Sequence, residues 1–207
     1  RSTLDRSSAA SDVYKRQVLT KANSFFSYSK LANCDFSDKN IPITGCNSYQ
    51  SELTFDKVKC LNFLSSKGIK VAPSITISKT NKPNLNEIEA KVGFPCFVKA
   101  SNSGSSFGVY KVYNKDEMEN CLDSAFEVDN KVLVESYIDG REFSIGVISF
   151  NGKNKVLPIT EIITSNDFFD YEAKYEGKAQ EITPAKISDE LESKLNLISK
   201  DIYTSSN

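Results

Sequence analysis

Apolar and polar positions change their spacing repeatedly along the chain, and each change marks an element. From Thr54 to Lys67 the apolar residues Val58, Leu61 and Leu64 recur at helical spacing, and Gly68 is placed to stop the helix. KVAPSITI, residues 70–77, reads as a strand that tolerates Pro73 near its start. A short helix over residues 86–92 leads into FPCFVKA, a continuous apolar strand over 94–100. A Gly/Ser loop separates it from VYKVY, and the two strands read as a hairpin. Asn114 followed by Glu117 predicts a capping box ahead of Met118, Cys121, Leu122, Ala125 and Phe126, an amphipathic helix.

Farther on, KVLVESYI and REFSIGVISF read as strands joined through the turn dipeptide Asp139-Gly140. KVLPITEII is a further strand, residues 165–181 a polar loop, and Ser188 opens a last helix with Leu191, Leu195, Ile198 and Ile202 on one face. The first 40 residues are less legible. Residues 1–17 are polar, charged and without period, and read as a non-native tail or else a flexible N-terminus. Some helix is expected around Phe25 to Leu31, and IPITG, residues 41–45, reads as a short strand ending in a turn. Helices mixed with hairpins predict an α+β architecture instead of a doubly wound sheet.

Composition narrows the chemistry. A chain of 207 residues, 39% hydrophobic, can bury one substantial core or two small ones. Its 26 Lys and Arg nearly balance 27 Asp and Glu, so no global field favours nucleic acid or an anionic membrane, and any phosphate affinity must be local. Histidine is absent, which removes Ser-His-Asp and Cys-His mechanisms and leaves Lys, Tyr, Ser and carboxylates. No metal-ligating set is recognised. The five cysteines, Cys34, Cys46, Cys60, Cys96 and Cys121, form no C-x-x-C pair and read as reduced, buried thiols of a cytoplasmic protein. No apolar run reaches the roughly 18 residues that span a bilayer.

The segment Phe94 to Val112, FPCFVKASNSGSSFGVYKV, carries the most chemistry. Lys99 ends a strand and is followed by Ser101, Ser103, Gly104, Ser105, Ser106 and Gly108, whose N–H groups and hydroxyls can close on phosphate oxygens beside a lysine charge. The lysine precedes the loop, and the loop joins two strands, so neither a P-loop nor a dinucleotide fingerprint fits; a glycine-rich flap, or an ordinary flexible hairpin, remains. Glu135, ending an apolar strand, is suited to the edge of an adenine, and Glu142 to ribose hydroxyls or simply to solvent. Lys57 reads equally as a phosphate contact or a surface charge. The loop FFDYEAKYEGKAQEITPA, residues 168–185, interleaves Phe168, Phe169, Tyr171 and Tyr175 with Lys174 and Lys178, the composition of a lid or of a loop packed on its own aromatics.

In order, IPITGC, LTFDK, GIKVAPS, GFPCFVKASNSGSSFGV, VLVESYIDGREFSIGV and DFFDYEAKYEGKAQEITPA make the chain resemble D-alanine–D-alanine ligases of the ATP-grasp superfamily, from about Ile41 to Tyr203. The resemblance implies a central lid over 55–140, the start of a C-terminal ATP-grasp domain over 141–207 with its substrate-covering loop at 165–185, and a remnant of the N-terminal substrate domain over 18–54. It also implies that Lys57 and Lys99 contact ATP phosphates beneath the flap Gly104, Ser105, Ser106 and Gly108. Glu135, Tyr137 and Ile138 would bind adenine, Phe168 would pack on the base, and Glu142 would hold the ribose. Lys174 would neutralise the phosphoryl group in flight, while Ser105 and Tyr175 would belong to the set that shuts the loop over the amino acids. The implied cofactors are ATP and Mg2+, the implied substrate is D-alanine, and the whole protein would be a cytoplasmic homodimer.

DYEAKY favours the dipeptide over the D-alanine–D-lactate ester. The family's late arginine and its Asp, Glu and Asn magnesium ligands are expected beyond Asn207, so the chain alone is expected to be inactive. Another ATP-grasp carboxylate–amine ligase, or a non-catalytic nucleotide-binding module, are the alternatives.

Overall fold

A computed structural model of the chain describes residues 46–81, 84–168, 176 and 179–206. The expected tail at 1–17, the helix around Phe25 to Leu31 and the strand at 41–45 lie outside the described residues. The chain divides into two compact units, residues 1–53 and 54–207. The described residues of the first unit, from 46 onward, lead into helix α1, Ser48–Phe55.

The second unit begins with a helix shorter than the periodicity predicts. Asp56 has an extended backbone (φ −82°, ψ 106°), so the helix α2 spans Lys57–Ser66 with Asp56 as its N-cap instead of starting at Thr54. The Asp56 carboxylate accepts from the Val58 and Lys59 amides at 3.0 and 3.1 Å, satisfying two of the donors that every helix start leaves open. Gly68, at φ 74°, follows the helix as expected.

Four antiparallel strands, β1 (Ser74–Ser78), β2 (Cys96–Ala100), β3 (Val109–Val112) and β4 (Lys131–Ser136), form a sheet in the order β1-β4-β2-β3. β2 and β3 make the expected hairpin, with Phe97 opposite Lys111 and Lys99 opposite Val109. Helices α3 (Leu85–Val92) and α4 (Lys115–Phe126) cover one face. There Ile88, Val92, Met118, Leu122 and Ala125 pack against Cys96, Val98, Val112, Val132 and Val134. Burying a side chain the size of Met118 or Leu122 contributes about 2 kcal/mol. The capping box at α4 is a variant. Asn114 accepts from the Asp116 and Glu117 amides, while Glu117 reaches back to the Tyr113 amide instead of that of Asn114.

Period two then dictates what the other face carries. Since Cys96, Val98 and Ala100 point into the core, Phe97 and Lys99 must point away from it. Pairing of Phe97 with both Glu135 and Lys111 puts these three residues in one row across the sheet.

Beyond Ser136 the sequence expectations need four corrections. The strands around Asp139-Gly140 are not a hairpin: β4 stays in the first sheet, whereas β5 (Glu142–Ser144) pairs with β8 (Thr160–Thr164) in a second. KVLPITEII is two strands, β7 (Lys153–Val156) and β8, because Pro158 has no N–H for a continuous ladder. Residues 179–182, assigned to a loop, form β9 (Ala179–Ile182), which pairs with β8 and is only half-buried, so its apolar signal is weak. The second sheet has the order β5-β8-β9.

REFSIGVISF breaks after Ser144. Its second half, β6 (Val147–Phe150), forms a separate hairpin with β7 through Asn151-Gly152, both at positive φ. Helix α5, Asp189–Ser205, is capped by Ser188 and packs on that hairpin. Its Leu191, Leu195, Ile198 and Ile202 are half-buried, as their spacing predicts. Among the described cysteines, Cys96 is buried, Cys60 and Cys121 are half-buried and Cys46 is exposed, so uniform burial does not hold. No helix among the described residues is long and apolar enough to cross a membrane.

Candidate active site

A cleft of about 790 Å³ opens between the exposed face of the first sheet and the second sheet. Its walls include Phe97, Glu135, Tyr137, Ile138, Arg141, Glu142, Glu161, Ile163, Asp167 and Phe168. Glu135, Tyr137, Ile138, Glu142 and Phe168 are therefore brought together from segments up to 33 residues apart. The Tyr137 N–H donates to the Pro95 carbonyl at 3.2 Å, whereas no described acceptor takes the Ile138 N–H, leaving it for an incoming edge. Ile138 itself is 66% exposed, a costly placement for a side chain that nothing covers.

Phe168 meets Phe97 edge-on, with ring centroids 5.3 Å apart, and the tilted Tyr137 ring stands 6.2 Å from Phe97. Of this aromatic wall, Phe168 and Tyr137 were expected at the base, and Phe97 was missed in the sequence. Its signal was the alternation inside FPCFVKA, which puts Phe97 on the same face as Lys99. Lys99 makes a direct ion pair with Glu135, and its Nζ lies 4.9 Å from the Phe97 ring centroid. Arg141, also missed, donates to both Glu161 oxygens at 2.6 and 2.8 Å and to the Lys186 carbonyl at 2.9 Å. That fork ties the chain entering β5 to β8 immediately beside Glu142.

Next to Lys99, the flap contains a tight turn. The Phe107 N–H donates to the Gly104 carbonyl at 2.9 Å, with Ser105 and Ser106 at φ 51° and 60°. Two successive non-glycine residues in the left-handed region cost about 1 kcal/mol or more each, a strain that concentrates at functional loops. At Gly108, φ is 67° and an added Cβ would lie 3.0 Å from the Ala100 Cβ, so only glycine brings the flap back so close to its own stem.

Lys57 is not a free surface charge. Its three N–H donors are met by the Ala100 carbonyl at 2.9 Å, the Ser103 carbonyl at 2.8 Å and the Ser103 hydroxyl at 3.0 Å, all at the base of the flap. Burial, aided by the nearby Lys99 charge, pushes its pKa down to about 8. The folded chain therefore binds fewer protons than the unfolded chain between about 8 and the ordinary value of 10.5, so this group stabilises the fold as pH rises through that window. In a pH series of thermal melts, the parent chain should gain on Lys57→Met between about pH 8 and about pH 10; a constant difference would contradict the assignment.

Lys174 and Tyr175 lie outside the described residues. Among those described, no group of three or more His, Cys, Asp or Glu side chains converges to hold a metal ion.

Comparison with known proteins places this geometry. The family described as D-ala D-ala ligase C-terminus matches residues 63–206. A D-alanine–D-alanine ligase of Flavobacterium johnsoniae is 52% identical over 163 residues, which are 79% of this chain and 50% of that protein. The enzyme of the same name from Flavobacterium psychrophilum is 51% identical over 166 residues, 80% of this chain and 51% of the relative. This chain thus spans about half the length of the curated relatives it matches.

Among solved structures, the VanG D-Ala:D-Ser ligase of Enterococcus faecalis superposes with a TM-score of 0.74 at 34% identity, covering 84% of this chain and 51% of that one. A Bacillus anthracis D-alanine–D-alanine ligase complexed with ATP gives 0.69 at 32% identity, covering 85% and 55%. The α+β arrangement of two sheets around a cleft is the ATP-grasp fold of these enzymes, and the chain belongs to the D-alanine–D-alanine ligase family.

Proposed function

We propose that the protein carrying this sequence joins two D-alanines into D-alanyl-D-alanine with ATP, as a cytoplasmic step of cell-wall precursor synthesis. The observation that carries the reading is the cleft itself. A base-sized aromatic wall, Glu135 and the Ile138 edge line it, and Lys99, paired with Glu135, leads along β2 toward the stem of the strained flap, which Lys57 grips. Residues 55–140 then act as the lid and 141–207 as part of the C-terminal ATP-grasp domain, and the working protein is a homodimer.

In this reading adenine lies against Phe97 and Phe168, with its edge on Glu135, Tyr137 and Ile138, and the ribose reaches Glu142. Lys99 turns from Glu135 to the phosphates, and Gly104, Ser105, Ser106 and Gly108 close over the terminal one. A carboxylate oxygen of one D-alanine attacks the γ-phosphorus as its bond to ADP breaks, giving an acyl phosphate. The amine of the second D-alanine attacks the acyl carbon, forming the peptide bond and expelling phosphate and a proton. Lys174 neutralises the phosphoryl group in flight, and Tyr175 with Ser105 holds the loop closed against water. Such chemistry rests on positioning and charge, which suits a site built from Lys, Ser and carboxylates. Mg2+ would offset nucleotide charge, and among the described residues no group of three or more His, Cys, Asp or Glu side chains converges to hold it.

The full-length protein should release ADP only when D-alanine is present, and the product should be the dipeptide. With D-serine or D-lactate as competing acceptors, D-alanine should dominate. Absence of D-alanine-dependent ADP release would overturn the proposal.

A further inference from the structure

Asp167 makes contacts that the roles above leave unused. It lies just before Phe168, and its carboxylate bridges to Lys111 Nζ at 2.7 Å while accepting from the Tyr113 hydroxyl. Lys111 and Tyr113 stand two residues apart on and just beyond β3, so they share the cleft face of the first sheet. The Lys111 side chain is only 8% exposed, and its Nζ lies 4.1 Å from the Tyr137 ring centroid and 5.3 Å from that of Tyr113. One ammonium is thus held by a carboxylate and two ring faces, and it stands in the same cross-strand row as Phe97 and Glu135.

The consequence is local and geometric. Asp167 follows β8, which belongs to the second sheet, so its grip on Lys111 and Tyr113 fastens the chain leaving β8 onto the first sheet. That fastening fixes the next residue, Phe168, at 5.3 Å from Phe97. The hydrogen bonds from Lys111 and Tyr113 hold the Asp167 carboxyl below its ordinary range, as a working ion pair requires.

Resting on the nucleotide reading of the cleft, we infer that Asp167, Lys111 and Tyr113 form a clasp that seats Phe168 as the wall of the base slot, and so positions the base without touching it. Asp167 and Lys111 are positioning residues. They act on the base end of a nucleotide and leave its phosphate end alone.

Calorimetric titration of the 207-residue chain with Mg-ATP and, separately, with Mg-tripolyphosphate tests this. Asp167→Ala should weaken Mg-ATP about tenfold and change tripolyphosphate by less than about twofold. The charge-exchanged pair Lys111→Asp with Asp167→Lys should recover most of the Mg-ATP affinity lost by either single change, which loss of folding would not allow. Unchanged Mg-ATP binding in Asp167→Ala, or an equal loss for tripolyphosphate, would overturn the clasp while leaving the nucleotide site standing. Failure of the unsubstituted chain to take up Mg-ATP would overturn the nucleotide reading and the clasp with it.

Discussion

Replacing Lys99 by Ala should all but abolish the rise in melting temperature that Mg-ATP produces in the unsubstituted chain. Lys99 is the penultimate residue of β2, on the same face as Phe97, with its side chain 23% exposed, and in the structure its charge is held by Glu135 and the Phe97 ring. A lysine contact to a phosphate contributes about 1.5–3 kcal/mol, so its loss weakens binding roughly 10- to 100-fold. At a nucleotide concentration one hundred times Kd, ligand binding stabilises a protein by about 2.7 kcal/mol. If Kd rises a hundredfold, that falls to about 0.4 kcal/mol, close to the limit of a melting experiment.

Lys99→Arg keeps the charge and should retain a substantial part of the shift. Lys99→Met keeps the stem over Phe97 without the charge and should behave like Ala. Equal Mg-ATP shifts in the parent chain and Lys99→Ala would remove Lys99 from the phosphate site.

The largest stability loss is expected at Asp56. Its side chain is buried, caps α2 through two amides, accepts from the Ser101 hydroxyl at 2.6 Å and pairs with Lys131 at 3.4 Å. Asp56→Ala removes the cap and leaves the buried Ser101 hydroxyl without that acceptor, a combined loss of about 3 kcal/mol. For a unit of this size that lowers the melting temperature by roughly 6–12 °C. Because Ser101 and Ser103 lead into the flap, nucleotide affinity should fall too.

The pH dependence has a definite sign. Burial works against the Asp56 charge, but the Ser101 hydroxyl, the Lys59 amide and Lys131 outweigh it and hold the carboxyl below its ordinary value of 3.8. A lowered folded value means that the stabilisation is present above the unfolded pKa and is lost as pH falls through the folded one. The gap between parent and Asp56→Ala should therefore be constant above about pH 5 and narrow below about pH 4. Asp56→Asn, which can still accept from the helix amides, should retain part of the gap. A gap of under about 1 kcal/mol at neutral pH would show that the cap and the Ser101 bond contribute little.

Local chemistry made much of this protein legible before any fold was known. The Asn114 and Ser188 caps and the apolar stripes of α4 and α5 depend on neighbours within four residues, and the flap hairpin joins two apolar strands across one short Gly/Ser loop, so spacing alone identifies them. The ordered motifs likewise marked Lys57, Lys99, Glu135, Glu142 and Phe168 as candidates. Two local signals were present and still misread. Pro158 inside KVLPITEII marked the break between β7 and β8, and the extended residue Asp56 was absorbed into one helix because Thr54 and Phe55 before it are helical residues of α1 and Val58, Leu61 and Leu64 follow at helical spacing.

Beyond the flap hairpin and that of β6 with β7, tertiary structure alone decided which strands pair. β4 follows α4 in sequence yet inserts between β1 and β2, because burial of Val132 and Val134 against the same helices is available only there. Lys99 and Glu135 are 36 residues apart and Lys111 and Asp167 are 56 apart, separations over which periodicity carries no information. Composition likewise left Lys57 undecided between a surface charge and a phosphate contact, whereas the fold surrounds it with three oxygens of the flap stem. Short-range order follows from each residue's own preferences, but charge partners and cleft walls follow from strand register, which is set by the packing of the whole core.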